Sequence, residues 1–152
     1  MIIESYCEAD TRRLGYEMGQ SCKAGTVICI EGDLGAGKTV FAAGFARGLG
    51  IEMPVCSPTF TILQVYEEGR LPLYHFDVYR ITDSSEMEEI GFDEHVFGQG
   101  VCLIEWGGRI DDILPENTVF ITIEKDFGKG FDYRRIKVEN PCASEQNDYF
   151  ST

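Results

Sequence analysis

The chain has 152 residues, and its 13 lysine and arginine residues stand against 26 aspartate and glutamate residues, a formal net charge of −13 at pH 7. This balance excludes a general electrostatic footprint for nucleic acid or anionic lipid. Hydrophobic residues make up 43% and aromatic residues 12%, so one ordinary core can form and a disordered chain is excluded.

The first half of the chain predicts alternating strands and helices. A short strand is expected over Met1–Tyr6, and a helix over Glu8–Ser21, where Leu14 and Met18 lie four residues apart. Thr26–Glu31 is short and almost entirely apolar, which is typical of a strand covered on both faces. A glycine-rich turn follows, and then a helix from about Lys38 to Leu49.

The second half predicts further strands with one helix between them. An N-cap pattern at Asp83 with an acid at Glu86 predicts a helix start, and Val101–Glu105 is a second buried-strand pattern. Two hairpins are expected, the first from the strands Phe60–Tyr66 and Leu71–Tyr79, the second from Thr118–Glu124 and Tyr133–Val138. Residues 1–139 are therefore interpreted as one α/β domain with a single sheet, and residues 140–152 as a flexible tail.

The segment Gly32–Thr39 carries the strongest functional signal. Its sequence GDLGAGKT satisfies GxxxxGK[ST], and it lies between a predicted strand and a predicted helix. Glycines allow backbone amides to turn toward phosphate oxygens, and the first helical turn adds free amides and the positive end of its dipole. Lys38 would supply a charge to the β- and γ-phosphates, and Thr39 a hydroxyl to Mg²⁺. We expect a nucleotide and Mg²⁺ to bind here.

Two acidic residues are candidates for the carboxylate that such a site places near Mg²⁺. Glu105 directly follows four apolar residues, and Asp77 lies in the stretch HFDVYR. Spacing alone does not rank the two for holding the cation or for positioning a water molecule. His75, in the same strand pattern as Asp77, is interpreted as a structural ring rather than a catalytic base.

Neither metal-binding cysteines nor a secretory leader is indicated. The six cysteines form no CxxC pair and no Cys/His spacing typical of zinc, and a disulfide framework would require a secreted protein. The N-terminus lacks a basic segment followed by a long apolar stretch, and no apolar run approaches the ~20 residues of a membrane span. The sequence predicts a cytoplasmic protein without membrane contact.

Four motifs in order, GDLGAGKT, SPTF, HFDVYR and LIEWGGR, make the chain resemble the TsaE (YjeE) family over about residues 5–138. The resemblance implies a P-loop ATPase, weak alone, of the pathway that makes N6-threonylcarbamoyladenosine (t6A) at position 37 of tRNAs reading ANN codons. It also implies the partners TsaD and TsaB, with tRNA contacted only through the complex. The implied fold is a three-layer sandwich, a mostly parallel sheet with helices on both faces and an antiparallel edge hairpin.

The resemblance also implies roles for individual residues. Thr39 and Glu105 would hold Mg²⁺, Asp77 would serve hydrolysis or coupling, and Trp106 would pack at the partner face without taking part in chemistry. Lys38, Asp77 and Glu105 form the predicted catalytic set. The predicted ATP-binding set consists of the phosphate loop, a residue of a nucleotide-sensing loop and two residues that contact the adenine side. Its members are Thr11, Asp33, Leu34, Gly35, Ala36, Gly37, Lys38, Thr39, Thr59 and Arg134.

Two other classes of phosphate-loop protein are alternatives to an ATPase of this family. A small-molecule or nucleotide kinase fits the size, but such enzymes usually carry several arginines in a closing lid, and the arginines here are scattered. A GTPase switch would need a guanine-reading NKxD stretch and a DxxG turn, and the sequence contains neither. The kinase stays as the alternative.

Overall fold

The computed structural model describes residues 1–33, 35–56, 58 and 62–140. In this part of the chain, seven strands alternate with three α-helices and two 3₁₀ helices. The α-helices are α1 (Glu8–Ser21), α2 (Lys38–Gly48) and α3 (Phe92–Val96), and the 3₁₀ helices span Ser84–Ile90 and Gly107–Ile113. The strands are β1 (Ile2–Ser5), β2 (Val27–Gly32), β3 (Leu63–Tyr66), β4 (Leu73–Asp77), β5 (Val101–Glu105), β6 (Val119–Lys125) and β7 (Arg134–Glu139).

The strands form one sheet in the order β1-β7-β6-β2-β5-β4-β3. The four central strands, β6, β2, β5 and β4, are parallel to one another. Strand β3 pairs antiparallel with β4 at one edge, and β7 and β1 extend the other edge antiparallel. The predicted α/β fold with a mostly parallel sheet is confirmed, and antiparallel strands occur at both edges rather than one.

Each face of the sheet has its own apolar core. Helices α1 and α2 cover one face with a cluster that includes Leu14, Phe45 and Leu103. The other face is covered by α3 and the two 3₁₀ helices, through residues such as Phe92 and Ile110. Strand β2 lies between the two cores and its first four residues are buried, as its apolar sequence predicts.

Helices α1 and α2 meet along a seam of four glycines. A Cβ built on Gly44 would overlap the carbonyl oxygen of Arg12, and one built on Gly15 would overlap that of Phe41. Gly19 and Gly48 are equally restricted by backbone atoms of the facing helix. The missing side chains therefore let the two backbones touch, which holds α1 directly against the helix that follows the phosphate loop.

The segment after Asp83 is a 3₁₀ helix rather than an α-helix. Its predicted start is correct: Asp83 accepts a hydrogen bond from the Ser85 backbone N–H, and Glu86 accepts one from the Asp83 N–H. The segment then ends at Gly91 with a φ of 71°, where α3 begins. Neither α3 nor the 3₁₀ helix Gly107–Ile113 is anticipated from the sequence, because such short elements carry no helical period.

Other predicted boundaries differ by a few residues. Strand β3 begins at Leu63, and Phe60 lies outside the described residues, as do residues 141–152 of the predicted tail. Within the described part of the chain, no helix has the length and apolar character that crossing a bilayer requires.

Candidate functional site

The phosphate loop joins β2 to α2 as the sequence predicts. Gly35 and Gly37 have φ angles of 79° and 117°, a backbone region that strains other residues. Gly37 precedes the first residue of α2, so the free amides of that helix turn lie beside the loop. The Ala36 N–H donates to the Asp33 carbonyl at 2.9 Å, which closes the turn.

A cavity of about 600 Å³ opens above this loop and gathers most of the predicted site. The predicted residues that line it are Thr11, Gly35, Ala36, Gly37, Lys38, Thr39, Asp77, Glu105 and Arg134. Asp33 is exposed and is not among the lining residues. Leu34 and Thr59 lie outside the described residues.

The two candidate carboxylates lie side by side on adjacent strands. Asp77 and Glu105 are the last residues of β4 and β5, and they are register partners in the parallel ladder. Leu73 and Leu103 belong to the core beneath α1 and α2. Side chains alternate along a strand, so both carboxylates lie on that same face, toward the phosphate loop.

Asp77 is half-buried, and its pKa is raised above the ordinary aspartate value. Burial is the largest cause, and the neighbouring Glu105 carboxylate adds to it. A hydrogen bond of 3.0 Å from the Tyr79 N–H to Oδ1 opposes the shift. This carboxyl group therefore holds a proton more readily than an exposed one, as a group that accepts a proton from water must.

Glu105 is buried and contacts a histidine. Its Oε2 lies 2.8 Å from Nε2 of His75, and the exposed fractions of the His75 and Glu105 side chains are 1% and 3%. The other ring nitrogen of His75, Nδ1, is buried and has no hydrogen-bond partner among the described residues. The sequence placed His75 in a strand but gave no sign of this contact.

Lys38 has two partners within the protein. Its Nζ donates to the Gly32 carbonyl at 2.7 Å and lies 3.8 Å from the centroid of the Trp106 ring. Trp106 has a φ of 65°, and of the described residues other than glycine only it has positive φ. Its ring also packs against Tyr79, with the ring centroids 5.0 Å apart. Within the chain, Trp106 thus makes a cation–π contact with the phosphate-loop lysine, and its packing at a partner face stays a prediction.

Arg134 and Thr11 line the far side of the cavity. Arg134 Nε donates to the Ala36 carbonyl at 2.7 Å, and its Nη1 donates to the carbonyls of Phe131 and Tyr133. Thr11 is buried, and its hydroxyl lies 2.7 Å from that of Ser5. Arg134 therefore braces the phosphate loop from β7, in addition to bordering the cavity.

Several lining residues were missed by the sequence analysis. They are Cys7, Glu8, Val40, Lys125, Phe131 and Asp132. Lys125 could have been found, because it ends β6 beside β2, and the carboxyl ends of parallel strands share one edge of the sheet. Phe131 is 78% exposed and lies in a hairpin loop, for which the sequence gives no positional signal.

The donors of the cavity suit a phosphate and a hard cation. Backbone amides and Lys38 offer positive charge, while the Thr39 hydroxyl and the two carboxylates offer the oxygen ligands that Mg²⁺ prefers. Among the described residues, no group of three or more His, Cys, Asp or Glu side chains could hold a metal by itself. Such a site fits a cation that takes its remaining ligands from phosphates and water.

Comparison with known proteins gives one consistent family. A family described as "Threonylcarbamoyl adenosine biosynthesis protein TsaE" matches residues 5–136. The chain is 49% identical over 127 residues to a Bacillus subtilis protein named tRNA threonylcarbamoyladenosine biosynthesis protein TsaE, covering 84% of this chain and 77% of the relative. A Treponema pallidum protein of the same name is 50% identical over 114 residues, covering 75% and 84%.

A solved structure shows the same architecture. The crystal structure of Bacillus subtilis YdiB superposes with a TM-score of 0.76 at 38% sequence identity, and the match covers 92% of this chain and 84% of that one. The sheet and the helices that form the cavity are therefore shared with an experimentally determined fold.

Proposed function

The chain belongs to the TsaE family, and from this premise we propose that it is the ATP-binding and ATP-hydrolysing component that supports t6A biosynthesis. A role in t6A biosynthesis follows from the family. The nucleotide, the cation and the reaction are argued from the site. The observation that carries them is the single cavity that joins the phosphate loop to Asp77 and Glu105.

The triphosphate would be held mainly by backbone. Gly35, Ala36 and Gly37 border the cavity, and the two glycines take the positive φ angles that turn the amides inward. Lys38 follows as the first residue of α2, and the free amides of that helix turn favour negative charge. These groups recognise phosphate rather than a base, which agrees with a site whose ligand is a nucleoside triphosphate.

Thr39 and Glu105 would hold Mg²⁺, which when bound neutralises charge on the β- and γ-phosphates. With Glu105 in that role, Asp77 is left to position the attacking water. Its half-buried carboxyl group has a raised pKa, which suits a group that accepts a proton. Lys38 and the loop amides would stabilise the negative charge that develops on the γ-phosphate.

The partners are proposed as TsaD and TsaB, with tRNA reached only through them. A formal net charge of −13 gives this chain no basic footprint for tRNA, so a partner has to supply one. Because tRNA and ATP meet in the cytoplasm, we propose that the protein works there.

The experiment is ATP turnover with Mg²⁺, measured for the chain alone and after addition of TsaD, TsaB and tRNA. We expect slow turnover alone and stimulation in the assembly, with Lys38→Ala inactive in both. Fast turnover alone that does not respond to the partners would contradict the proposal. Phosphate transfer to a small metabolite without partners would instead favour the kinase alternative.

A further inference from the structure

His75 and Glu105 form a buried polar pair at the base of the cavity. His75 lies on β4 two residues before Asp77, and therefore on the face that carries both carboxylates. Its ring reaches across to β5, where Nε2 lies 2.8 Å from Glu105 Oε2. The whole residues are 0% and 2% exposed.

The surroundings of the ring indicate which group is the donor. Nδ1 is buried, and no residue in the described part of the chain forms a hydrogen bond with it. A doubly protonated ring would bury an unpaired N–H donor, whereas a neutral ring with its proton on Nε2 leaves only a lone pair unpaired. Nε2–H therefore donates the hydrogen bond, and the Glu105 carboxylate accepts it.

The geometry points to His75 as the positioning residue for the Glu105 carboxylate, holding it in place at the site where a nucleotide-bound cation would sit. This inference rests on the proposed function, and it assigns His75 a role that its strand position alone did not indicate. Of the two ring nitrogens, Nδ1 has no partner within residues 1–33, 35–56, 58 and 62–140, while Nε2 contacts the residue assigned to the cation.

Two neutral substitutions separate a hydrogen-bonding role from a packing role. His75→Gln keeps an N–H donor that can reach Glu105, and His75→Leu removes it. The readout is the affinity for Mn²⁺ in the presence of the non-hydrolysable analogue AMPPNP, followed by the electron paramagnetic resonance of free Mn²⁺. AMPPNP affinity in EDTA is measured in parallel. We expect His75→Leu to weaken Mn²⁺ binding about 10- to 100-fold while AMPPNP affinity in EDTA changes little. We expect His75→Gln to retain most of the Mn²⁺ affinity of the unmodified protein.

His95 provides the matched control. It is half-buried, its Nδ1 lies 2.7 Å from the Gly91 carbonyl, and its ring packs on Tyr74 with the centroids 4.5 Å apart. His95→Gln therefore removes a packed ring outside the cavity, and Mn²⁺ affinity should stay at the level of the unmodified protein.

The outcomes separate this inference from the function on which it rests. If the unmodified protein binds no Mn²⁺ with AMPPNP, or if Glu105→Gln binds it normally, the proposed cation site fails and the inference fails with it. If Glu105→Gln loses Mn²⁺ but His75→Leu does not, only the inference is wrong. The inference is also wrong if His75→Gln binds Mn²⁺ as weakly as His75→Leu does. It is wrong as well if both variants lose AMPPNP affinity to the same extent in EDTA.

A measurement without substitution at His75 covers the case in which the variants do not fold. The chain has 2 histidines, so ¹⁵N resonances of the rings can be assigned with the help of His95→Gln. We expect His75 to carry its proton on Nε2 and to leave Nδ1 bare. A ring with bare Nε2 would mean that Glu105 is the donor, which would overturn the inference.

Discussion

Asp77 and Glu105 face each other as the last residues of two parallel strands, β4 and β5, although a helical segment and α3 separate them along the chain. The pair places two carboxylates at the edge of the sheet where the phosphate loop also begins. Their environments differ, because Glu105 is buried against His75 while Asp77 is half-buried. This difference underlies the division of roles proposed between them.

Asp77→Asn should bind ATP and fail to hydrolyse it. The amide keeps the size of the side chain and can still accept the Tyr79 N–H, but it cannot take a proton from water. We expect turnover to fall about 100-fold or more with ATP affinity within about twofold of the unmodified protein. Single-turnover hydrolysis and equilibrium dialysis measure the two quantities.

Two comparisons give that result its meaning. Asp111→Asn alters an exposed carboxylate in the 3₁₀ helix Gly107–Ile113 and should leave both quantities unchanged. Lys38→Ala should lose ATP binding as well as hydrolysis. If Asp77→Asn also abolishes ATP binding, Asp77 is not the residue that positions water.

The stability of the metal-free protein should respond to pH through Asp77. Its folded-state pKa is raised above 3.8 by burial, so the folded chain binds this proton more tightly than the unfolded chain. The resulting stabilisation is complete below the unfolded pKa and is lost as the pH rises through the folded pKa. Asp77→Asn removes the buried charge, so we expect it to be more stable than the unmodified protein at pH 7 and to lose that advantage near pH 3.5.

Urea denaturation in EDTA between pH 3.5 and pH 8 measures this dependence. If Asp77→Asn raises the free energy of unfolding by the same amount at pH 3.5 and at pH 8, the effect of the substitution is not electrostatic.

Gly44→Ala should destabilise the protein. By helix propensity alone the substitution would stabilise α2 by about 0.5–1 kcal/mol. A Cβ at this position overlaps the Arg12 carbonyl oxygen, and overlaps of this kind with packed atoms cost about 1–3 kcal/mol. The sign of the change in the free energy of unfolding, measured by urea denaturation, therefore decides between the two effects. Ala43→Gly, at the neighbouring position, calibrates the propensity of the same helix.

The described cysteines should differ sharply in reactivity. Burial raises the pKa of Cys29 and of Cys102 to about 12, so roughly one thiol in ten thousand is ionised at pH 8. Cys7 and Cys56 are exposed. We expect iodoacetamide followed by peptide mass spectrometry to label the exposed pair and to leave Cys29 and Cys102 unlabelled in the folded protein.

ATP should protect one of the exposed pair. Cys7 lines the cavity and Cys56 does not, so Mg²⁺ and ATP should slow labelling of Cys7 alone. Equal protection of both thiols would indicate a general tightening of the protein rather than a ligand in the cavity.

The phosphate loop and the central strands were predictable because their signals are local. Gly32–Thr39 satisfies a fixed spacing, and an acid that directly follows a buried apolar run, as Glu105 does, marks a strand end. These patterns need no knowledge of which strands are neighbours. They were therefore sufficient to predict the phosphate loop, strands β2 and β5, and Glu105 as a strand-end acid, whereas Asp77 in HFDVYR was a candidate without that signal.

What the sequence could not predict depends on distant contacts. The bond between His75 and Glu105 exists because β4 and β5 are adjacent, and nothing in either strand specifies that order. The bond from Arg134 to the Ala36 carbonyl likewise depends on how β7 lies beside the loop. In the sequence, the four glycines of the seam between α1 and α2 indicate only low helix propensity.

The two partners of Lys38 have a consequence for which anions the loop can select. An arriving anion does not meet a lone positive charge; it has to compete with the Gly32 carbonyl and the Trp106 ring for the same ammonium group. Chloride would gain only a contact with the ammonium group, whereas a chain of phosphates would also accept hydrogen bonds from the loop amides. We therefore expect affinity for the loop to rise with the number of phosphates in the ligand, whatever base the ligand carries.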